Sequence, residues 1–416
     1  MRLQTIEKPQ KHFVIDVSEK GITKKQLEDL KNEDWLINRA GGEGLIFSNH
    51  VLEYYLDEEY RHGKTILTSG NGLLKTKSSG ERKKLLLDYL LEKSPKFLIL
   101  DNPFDSLDQE KVTWFKKKLE ALSQTTLLIQ LFRRREDILP FYNSALVYTY
   151  KGFSESKLKK HYLEMIDAFN TKYQIPTPIA RYENLPETLV AFKDVSVSFE
   201  NKPVIDRISW EIKQGEAWHL KGPNGSGKTT LLSMITGDST KGYGKELYIF
   251  GRKKGSGESV WEIKQKIGYF TASMTERFDG MHSVLEMVIS GLHDSVGLYK
   301  KPTTLEILKA EEWIDIIGLS AKKDKTFRTL DEVQKRLVLI ARAMIKHPPM
   351  LILDEPTSSL NSTGAVLLVN LINKVAEGSN TALLYVSHRE EKGLKFNNSI
   401  ELRPSQNGSR ALLVRS

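Results

Sequence analysis

The same pattern of apolar and polar positions occurs twice along the chain. The segments Phe97–Pro103 and Leu351–Pro356 are each an apolar run that ends in Asp-x-Pro. Such short, unbroken runs are typical of strands buried on both faces of a parallel sheet. Helical spacing of apolar positions precedes each run, over Arg82–Leu91 and Gln334–Ile345. The recurrence predicts an internal duplication within an α/β fold.

The N-terminal pattern is weaker but still predicts regular elements. Phe13–Val17 and Gly44–Phe47 favour strands, and Thr23–Lys31 favours a helix with Thr23 as its N-cap. A polar helix is expected through Glu58. Gly63–Thr65 resembles the end of a phosphate-binding loop, but the residue five positions before Gly63 is Glu58 rather than glycine. We therefore do not assign a nucleotide site there.

A change in composition divides the chain. Basic residues at Lys157–Lys160 predict a short helix, and three prolines follow before residue 188. An extended linker is the simplest interpretation of such a stretch. The predicted boundaries are a first domain at 1–150, a linker at 151–187 and a second domain at 188–416.

Composition limits the classes of function. The chain has 416 residues, which is enough for two or three domains, and no apolar run approaches the ~18 residues that cross a bilayer. Its start, Met1–Lys8, lacks the apolar segment of a signal peptide. Because there is no cysteine, disulfides and thiolate metal sites are excluded. We expect a cytoplasmic protein, with peripheral contact at the inner face of the plasma membrane as an option.

The most specific motif lies between a predicted strand, Ala217–Leu220, and a predicted helix, Leu231–Ile235. This order of strand, glycine-rich loop and helix is the context of a phosphate-binding P-loop. Backbone N–H groups of the loop would face the phosphates, Lys228 would reach the β- and γ-phosphates, and the Thr229 hydroxyl would hold Mg²⁺. The loop consists of Gly222, Pro223, Asn224, Gly225, Ser226, Gly227, Lys228, Thr229 and Thr230.

Three motifs together resemble those of an ABC-type ATPase. They are the P-loop, the Asp-Glu pair after an apolar strand and a histidine after the next apolar run. The resemblance covers residues 188–400 strongly and 76–150 in part. It implies that Asp354 helps hold Mg²⁺, that Glu355 polarises the attacking water and that His388 contacts the γ-phosphate. It also implies ATP and Mg²⁺ as cofactors and hydrolysis of ATP to ADP and phosphate. Phe199 occupies the place of the aromatic residue that stacks on adenine, with core packing as the alternative.

ABC domains work as facing pairs, in which a Leu-Ser-Gly-Gly-Gln signature of one domain closes over the ATP of the other. Ser78 and Gly80 belong to a similar segment in the first half. The segment Leu330–Gln334 stands at the matching place in the second half, since Gly80 precedes Asp101 by 101 − 80 = 21 residues and Val333 precedes Asp354 by 354 − 333 = 21. It has lost the serine and both glycines, and carboxylates at Asp331 and Glu332 would repel a triphosphate. We expect this second signature not to bind ATP.

The first half has the complementary loss. Lys228 precedes Asp354 by 354 − 228 = 126 residues, whereas Asp101 is only 101 residues from the start, so a P-loop at that spacing would fall before Met1. Asn102 replaces the catalytic glutamate, and Phe132 or Arg133 stands at the histidine position. The resemblance therefore implies a truncated, degenerate first ABC domain paired with a complete one in the same chain. We expect one ATP per chain, closed by Ser78 and Gly80; a purely structural lid is the alternative.

The sequence is less specific about the process that ATP hydrolysis drives. The stretch Phe250–Glu258 resembles tandem ABC proteins of the molybdate-transport and photorepair-associated group, which implies an ATPase component of a molybdate-type transport system with a separate membrane permease. Ala272 stands where transporter-type domains carry a glutamine that meets the permease, which favours the alternative of a soluble ATP-driven switch acting on a protein or nucleic-acid partner. Arg252–Lys254 and the net charge of +9 would permit nucleic-acid contact, although a solvated loop is the simpler interpretation.

Overall fold

The structure is a computed structural model that describes residues 12–17, 21–68, 72–105, 107–142, 144–149, 152–156, 174–278, 280–396 and 398–415. Its contacts divide the chain into two compact units. The N-terminal unit comprises Met1–Tyr162 with Ser359–Ser362, and the C-terminal unit comprises Leu163–Ser358 with Thr363–Ser416. Among the described residues, no helix combines the length and apolar character that crossing a membrane requires.

The N-terminal unit is built on one six-stranded sheet of order β2-β3-β4-β1-β5-β6. All neighbouring strands are parallel except the antiparallel pair β5–β6. The strands are β1 Phe13–Asp16, β2 Gly44–Phe47, β3 Phe97–Asp101, β4 Leu127–Phe132, β5 Ser144–Thr149 and β6 Gly152–Ser156. The helices are α1 Lys24–Lys31, α2 Asp34–Ala40, α3 Asn49–His62, α4 Ser79–Glu92 and α5 Gln109–Leu122.

Strand β3 shows why an unbroken apolar run is needed. Side chains alternate between the two faces of a strand. Phe97 and Ile99 pack into one hydrophobic cluster, whereas Leu98 and Leu100 pack into another. All four are fully buried, so the prediction of a strand covered on both faces is confirmed.

The C-terminal unit contains a six-stranded sheet, β12-β13-β14-β9-β15-β16, and a four-stranded antiparallel sheet, β11-β10-β7-β8. The strands are β7 Thr188–Phe199, β8 Lys202–Lys213, β9 Ala217–Lys221, β10 Leu247–Ile249, β11 Arg252–Lys253, β12 Ile267–Thr271, β13 Met350–Asp354, β14 Ala382–Ser387, β15 Asn398–Arg403 and β16 Arg410–Val414. The helices are α6 Lys228–Ile235, α7 Val260–Gln265, α8 Met274–Arg277, α9 Val284–Ile289, α10 Thr304–Ile316, α11 Glu332–Met344 and α12 Ser362–Gly378. One core, which includes Trp210, Trp218 and Met234, joins the antiparallel sheet, β9 and α6.

The two six-stranded sheets have the same strand order when β1–β6 are matched to β9 and β12–β16. Backbone details agree as well. Asn102 and Glu355 both have positive φ, 44° and 51°, and their N–H groups donate to Leu131 O and Val386 O. The duplication predicted from the sequence is therefore confirmed, and Asn102 is the counterpart of Glu355.

The matched sheets decide which residue replaces the histidine. Asp101 is paired with Leu131, and Asp354 is paired with Val386. His388 lies two positions after Val386, so its counterpart lies two positions after Leu131. That residue is Arg133, and Phe132 corresponds to the residue before the histidine.

The expectation that a P-loop counterpart would fall before Met1 is wrong. In the matched sheets, β1 ends at Asp16 as β9 ends at Lys221, and α1 follows as α6 does. The counterpart of the P-loop is thus the connection 17–23, of which residues 18–20 lie outside the described residues. The spacing misled because the N-terminal unit is shorter: 27 residues separate β1 from β2, against 45 between β9 and β12.

The described start of α1 differs from the start of α6 at the P-loop. Thr23 forms a capping box with Gln26, so the side chain already accepts from a helix N–H group that a phosphate would need. In addition, Val17 stands where the P-loop begins with Gly222. The predicted helix N-cap at Thr23 is confirmed, and Gly63, in left-handed conformation, ends α3 as a C-cap rather than a nucleotide loop.

Two strands lie near the domain boundaries that the sequence predicts. Strand β7 begins at Thr188, where the second domain was expected, and β6 continues the N-terminal sheet to Ser156, beyond the expected boundary at 150. The short helix expected at Lys157–Lys160 lies outside the described residues.

Candidate functional site

The P-loop connects the end of β9, a central strand with three buried positions, to the start of α6. Gly222, Gly225 and Gly227 have φ of 153°, 81° and 95°, values that side-chain-bearing residues rarely adopt. A Cβ on Gly222 would lie 2.6 Å from Ser226 Oγ and 3.0 Å from the Leu402 carbonyl oxygen. The loop therefore needs glycine for both backbone conformation and space.

Three polar side chains of the P-loop lie between the end of β9 and the first turn of α6. The Lys228 ammonium donates to the carbonyl oxygens of Gly222 at 2.7 Å and Pro223 at 3.1 Å. Ser226 Oγ is buried and makes no hydrogen bond to the part of the chain that is described. A buried hydroxyl without a partner is costly, so its presence here fits a ligand rich in hydrogen-bond acceptors. Thr229, beside Lys228, lies in the first turn of α6.

Asp354 ends β13 at the same edge of the sheet. Burial and repulsion from the neighbouring Glu355 carboxylate raise the pKa of Asp354 to about 6, while Lys228 and a hydrogen bond from Tyr269 oppose the shift. The effect of Lys228 places the P-loop ammonium close enough to act on this carboxylate. Because its surroundings disfavour the charged form of Asp354, a cation bound beside this carboxylate would favour its ionisation.

Glu355 and His388 face one another. His388 Nδ1 lies 2.9 Å from Glu355 Oε1, and the exposed fractions of the two side chains are 7% and 28%. His388 Nε2 is buried without a hydrogen-bond partner among the described residues. The carboxylate is thus oriented by the imidazole, and the second imidazole nitrogen is left for a further ligand.

A second histidine positions the residue before His388. His219 Nε2 lies 2.8 Å from Ser387 Oγ, which donates to the Arg389 carbonyl oxygen at 2.5 Å. Because that hydroxyl proton is already used, the imidazole is the donor to Ser387. Burial lowers the pKa of His219 to about 4, so the ring is neutral at physiological pH.

Sheet topology brings these groups together. Strands β13, β14 and β9 are adjacent and parallel, and their carboxyl ends carry Asp354–Glu355, His388 and the P-loop. In open parallel sheets, ligands bind at the carboxyl ends of the strands. The residues predicted for phosphate, metal and water therefore form one cluster within the C-terminal unit.

Phe199 is not part of the core. It ends β7 with 42% of its surface exposed, and the Lys241 ammonium lies 5.0 Å from the ring centroid. An exposed aromatic ring at the end of a strand fits a stacking surface better than the core packing that was the alternative.

Ser78 and Gly80 have local roles in the N-terminal unit. Ser78 is the N-cap of α4 and forms a capping box with Glu81. Gly80 is buried, and a Cβ there would lie 2.1 Å from Lys111 Cδ. Helix capping and packing against Lys111 are sufficient to explain both residues, so a role at a nucleotide stays a prediction.

The altered signature of the C-terminal unit also has a local role. Asp331 is the N-cap of α11 and accepts from Gln334 N. Glu332 makes an ion pair with Arg336 at 2.9 Å and accepts a hydrogen bond from Thr275. These carboxylates stabilise the start of the helix rather than leaving it open to an anion.

The basic loop at Arg252–Lys254 is neutralised by neighbours. Arg252 lies 3.4 Å from Glu262, Lys253 pairs with Glu246, and the buried Lys254 lies 3.2 Å from Glu258. Each cation has its own carboxylate, which leaves little charge for nucleic-acid contact.

Two groups near the site were not predicted from the sequence. Tyr269 donates to Asp354, and the burial of its hydroxyl beside that carboxylate raises its pKa. Thr357 donates to Glu391 at 2.6 Å and so joins the loop after Glu355 to the loop after His388. The position of Tyr269 within the short apolar segment Ile267–Thr271 was the available signal, whereas the sequence around Thr357 gave none.

Known proteins are similar to this chain. The family model described as ABC transporter matches residues 205–358. The ABC transporter ATP-binding protein ModF of Escherichia coli strain K12 is 35% identical over 328 residues, which cover 76% of this chain and 67% of ModF. An uncharacterised ABC transporter ATP-binding protein of Schizosaccharomyces pombe is 26% identical over 372 residues, 88% of this chain and 74% of that protein. The uncharacterised YlmA of Bacillus subtilis strain 168 is 31% identical over 205 residues, 49% of this chain and 77% of YlmA.

Proposed function

Because this chain belongs to the family of ABC transporter ATP-binding proteins, whose members hydrolyse ATP, we propose that its C-terminal unit holds one ATP per chain and hydrolyses it. The observation that carries the proposal is the cluster at three adjacent strand ends, where the P-loop, Asp354, Glu355 and His388 meet. The resemblance to an ABC-type ATPase inferred from the sequence and the α/β P-loop fold are confirmed.

The P-loop binds the triphosphate. Its N–H groups and the N-terminus of α6 offer hydrogen bonds and partial positive charge to an anion. Ser226 Oγ gains a partner, and Lys228 exchanges the carbonyl oxygens of its own loop for phosphate oxygens. Phe199 stacks on the adenine. All nine residues from Gly222 to Thr230 take part in forming this cradle.

Thr229 and Asp354 would hold Mg²⁺, and both are oxygen donors of the kind that this ion prefers. When bound, the ion neutralises negative charge on the phosphates. The raised pKa of Asp354 fits this role, because a carboxylate that is unfavourably charged gains most from an adjacent cation.

Glu355 orients the attacking water and accepts its proton. Its Oε1 is fixed by His388 Nδ1, so the carboxylate presents one defined direction. His388 Nε2 contacts the γ-phosphate. Hydrolysis of a phosphoanhydride depends mainly on such positioning and charge stabilisation.

The test is ATP turnover of the purified chain beside Glu355→Gln. The amide keeps the shape of the side chain but is a poor base, so we expect ATP to stay bound and turnover to be lost. Unchanged turnover in Glu355→Gln would refute the role of this carboxylate. Asp101→Asn, which also replaces a strand-end carboxylate by an amide but in the N-terminal unit, is the control and should leave turnover as in the wild type.

From the sequence, we further propose that Ser78 and Gly80 close the ATP site as a signature. Gly80→Asp is the direct test, but its side chain would also collide with Lys111. The variant should therefore be compared with Gly80→Asp in a Lys111→Ser background, where the collision is relieved. Turnover lost in both supports the signature role, whereas turnover recovered in the double variant supports packing alone.

ATP hydrolysis drives transport in this proposal. The sequence resemblance favours a molybdate-type system with a separate membrane permease, and relatives such as ModF are named as ABC transporter ATP-binding proteins. Such a chain would act in the cytoplasm at the inner face of the plasma membrane. Affinity purification from membranes of the native host should recover a permease subunit, and vesicles with that pair should take up molybdate only with ATP.

One observation favours a second function. Ala272, directly after β12, has a methyl group where the transporter-type glutamine would meet a permease. A soluble ATP-driven switch that acts on a protein partner needs no such contact. Recovery of a soluble partner that dissociates with ATP, and of no permease, would favour this alternative; the paired cations of Arg252–Lys254 make a nucleic-acid partner the weaker form of it.

A further inference from the structure

The turn that follows β13 is held in an unfavourable backbone conformation. Glu355 has a φ of 51°, a left-handed value that is uncommon for residues other than glycine, asparagine and aspartate. Ser358 closes the turn, because its N–H and its hydroxyl both donate to the Glu355 carbonyl oxygen, at 3.2 and 3.0 Å. Such a conformation persists only when its surroundings fix it.

Arg336 of α11 supplies much of that support. Its side chain is almost completely buried, with 4% exposed. One guanidinium nitrogen, NH1, donates to the carbonyl oxygens of Pro356 and Ser358, both at 2.7 Å. One buried cation thus bridges two carbonyl groups within three residues of the catalytic carboxylate.

The opposite edge of the guanidinium is held by Glu332. Arg336 Nε donates to Glu332 Oε1 at 3.0 Å, and NH2 lies 2.9 Å from the same oxygen. Thr275, in the segment after β12, donates to that oxygen as well. Because a guanidinium is planar, fixing one edge also fixes the direction of the other.

The N-terminal unit repeats this arrangement with other residues. Lys83 is the counterpart of Arg336, since both precede the aspartate of their strand by 18 residues (101 − 83 and 354 − 336). Lys83 Nζ donates to the Asp105 carbonyl oxygen at 2.7 Å and contacts that of Asn102 at 3.5 Å. Ser79 stands at the position of Glu332. A cation that contacts the carbonyl groups of the turn is therefore found in both units.

We propose that Arg336 is a positioning residue of the hydrolytic site. Its guanidinium holds the turn 355–358 so that the Glu355 carboxylate stays against His388, and Glu332 orients the guanidinium. The altered signature of the C-terminal unit has thus taken a new role: it supports the catalytic turn of its own unit. This inference rests on the proposed ATPase function of the same cluster.

The test compares Arg336→Met, Arg336→Lys and Glu332→Ser with the full-length wild type. Met keeps the length of the side chain without its charge, so we expect kcat to fall about 10- to 100-fold, as small displacements of a reacting group do. The affinity for ATP, measured with a non-hydrolysable analogue and Mg²⁺, should stay within about threefold because the P-loop is untouched. Lys, the residue the N-terminal unit uses, should recover most of the loss, and Glu332→Ser should lower kcat by less than Arg336→Met.

Arg328→Met is the matched control, since Arg328 is exposed. It should leave both kcat and affinity as in the wild type. The imidazole nitrogen NMR signals of His388 give a second readout, because the contact of Nδ1 with Glu355 should weaken in Arg336→Met and return in Arg336→Lys. If Arg336→Met is less stable than the wild type, spectra taken well below its melting temperature still show whether the folded variant keeps the contact between His388 and Glu355.

Two results would overturn the inference. One is wild-type kcat in Arg336→Met; the other is an equal loss of kcat and nucleotide affinity, which would indicate a general structural role. If the wild-type chain itself hydrolyses no ATP, the proposed function fails. The His388 signals then still decide whether Arg336 positions the turn.

Discussion

The raised pKa of Asp354 predicts that this residue lowers the stability of the protein without nucleotide. Burial and the adjacent Glu355 raise that pKa from 3.8 to about 6. A shift of roughly 2 units corresponds to about 3 kcal/mol, which is an upper estimate of what ionised Asp354 costs the folded state. Asp354→Asn removes the charge and keeps the shape, and the amide oxygen still accepts from Tyr269.

The sign of the pH dependence follows from the direction of the shift. Because the pKa is higher in the folded state, protonated Asp354 stabilises the fold at low pH, and that contribution is lost as the pH rises through about 6. Asp354→Asn should therefore be more stable than the wild type at pH 8. The difference in stability between the variant and the wild type should decrease as the pH falls and vanish near pH 4.

Thermal unfolding without nucleotide measures this gap. If Asp354→Asn raises the free energy of unfolding by about 1–3 kcal/mol, the Tm of the variant should be roughly 3–10 °C above that of the wild type at pH 8, given the size of the C-terminal unit. Adding Mg²⁺ and ATP should stabilise the wild type and reduce the difference, since the variant loses a metal donor. An equal or lower Tm for the variant at pH 8, or a Tm difference that does not change with pH, would show that ionised Asp354 does not destabilise the fold.

The matched position in the N-terminal unit is the control for this experiment. Burial also raises the pKa of Asp101, but Arg133 and a hydrogen bond from Asn102 oppose that shift. Asp101→Asn should therefore stabilise the protein less than Asp354→Asn does, and ATP turnover should be unaffected by it.

Three further predictions concern the same cluster. Glu355→Gln should lower turnover about 10²- to 10⁴-fold, the usual range for loss of a general base, while radiolabelled ATP stays bound; release of ATP would contradict the assignment. Lys228→Ala should weaken ATP binding at least ~10-fold in equilibrium dialysis, because a charge-assisted contact to phosphate is lost, and wild-type affinity would refute it. Gly227→Ala should cost about 1–3 kcal/mol in urea unfolding, because φ is 95° and the new Cβ would lie 3.1 Å from Ile205 Cγ1. An unchanged denaturation midpoint would show that the loop tolerates a side chain.

The grouping of the P-loop, Asp354, Glu355 and His388 at one edge of the sheet could be predicted because each motif is local in the sequence. Nine consecutive residues define the P-loop, and Asp354 and Glu355 directly follow a strand whose apolar run is unmistakable. Their convergence follows from the adjacency of parallel strands, which the βα pattern implies. His388 could be assigned for the same reason, since it follows the next apolar run.

The N-terminal unit was harder to predict because its spacing differs. Strand β1 has only four residues, and the connections after it are shorter than those after β9. Counting back from Asp101 therefore placed the P-loop counterpart outside the chain, although the sheet order places it at 17–23. Register between strands, which also identifies Arg133 as the histidine counterpart, is a tertiary property that the sequence does not state.

Polar contacts between residues far apart in the sequence could not be predicted either. Arg336 lies on an amphipathic helix and would be expected at the surface, yet it is buried against carbonyl groups 20 and 22 residues away. The exchange of signature glycines for Asp331 and Glu332 indicated only the loss of a site. The contact between Glu332 and Arg336 required the fold to be seen.

We propose one hydrolytic ATP site, in the C-terminal unit. Its most direct test is the number of ATP molecules bound per chain in Glu355→Gln with Mg²⁺, measured at saturation, beside the same variant carrying Lys228→Ala. We predict one ATP per chain, reduced to none by Lys228→Ala at the same nucleotide concentration. Two ATP molecules per chain, or one that persists without Lys228, would place a nucleotide outside this cluster and rule out a single site there.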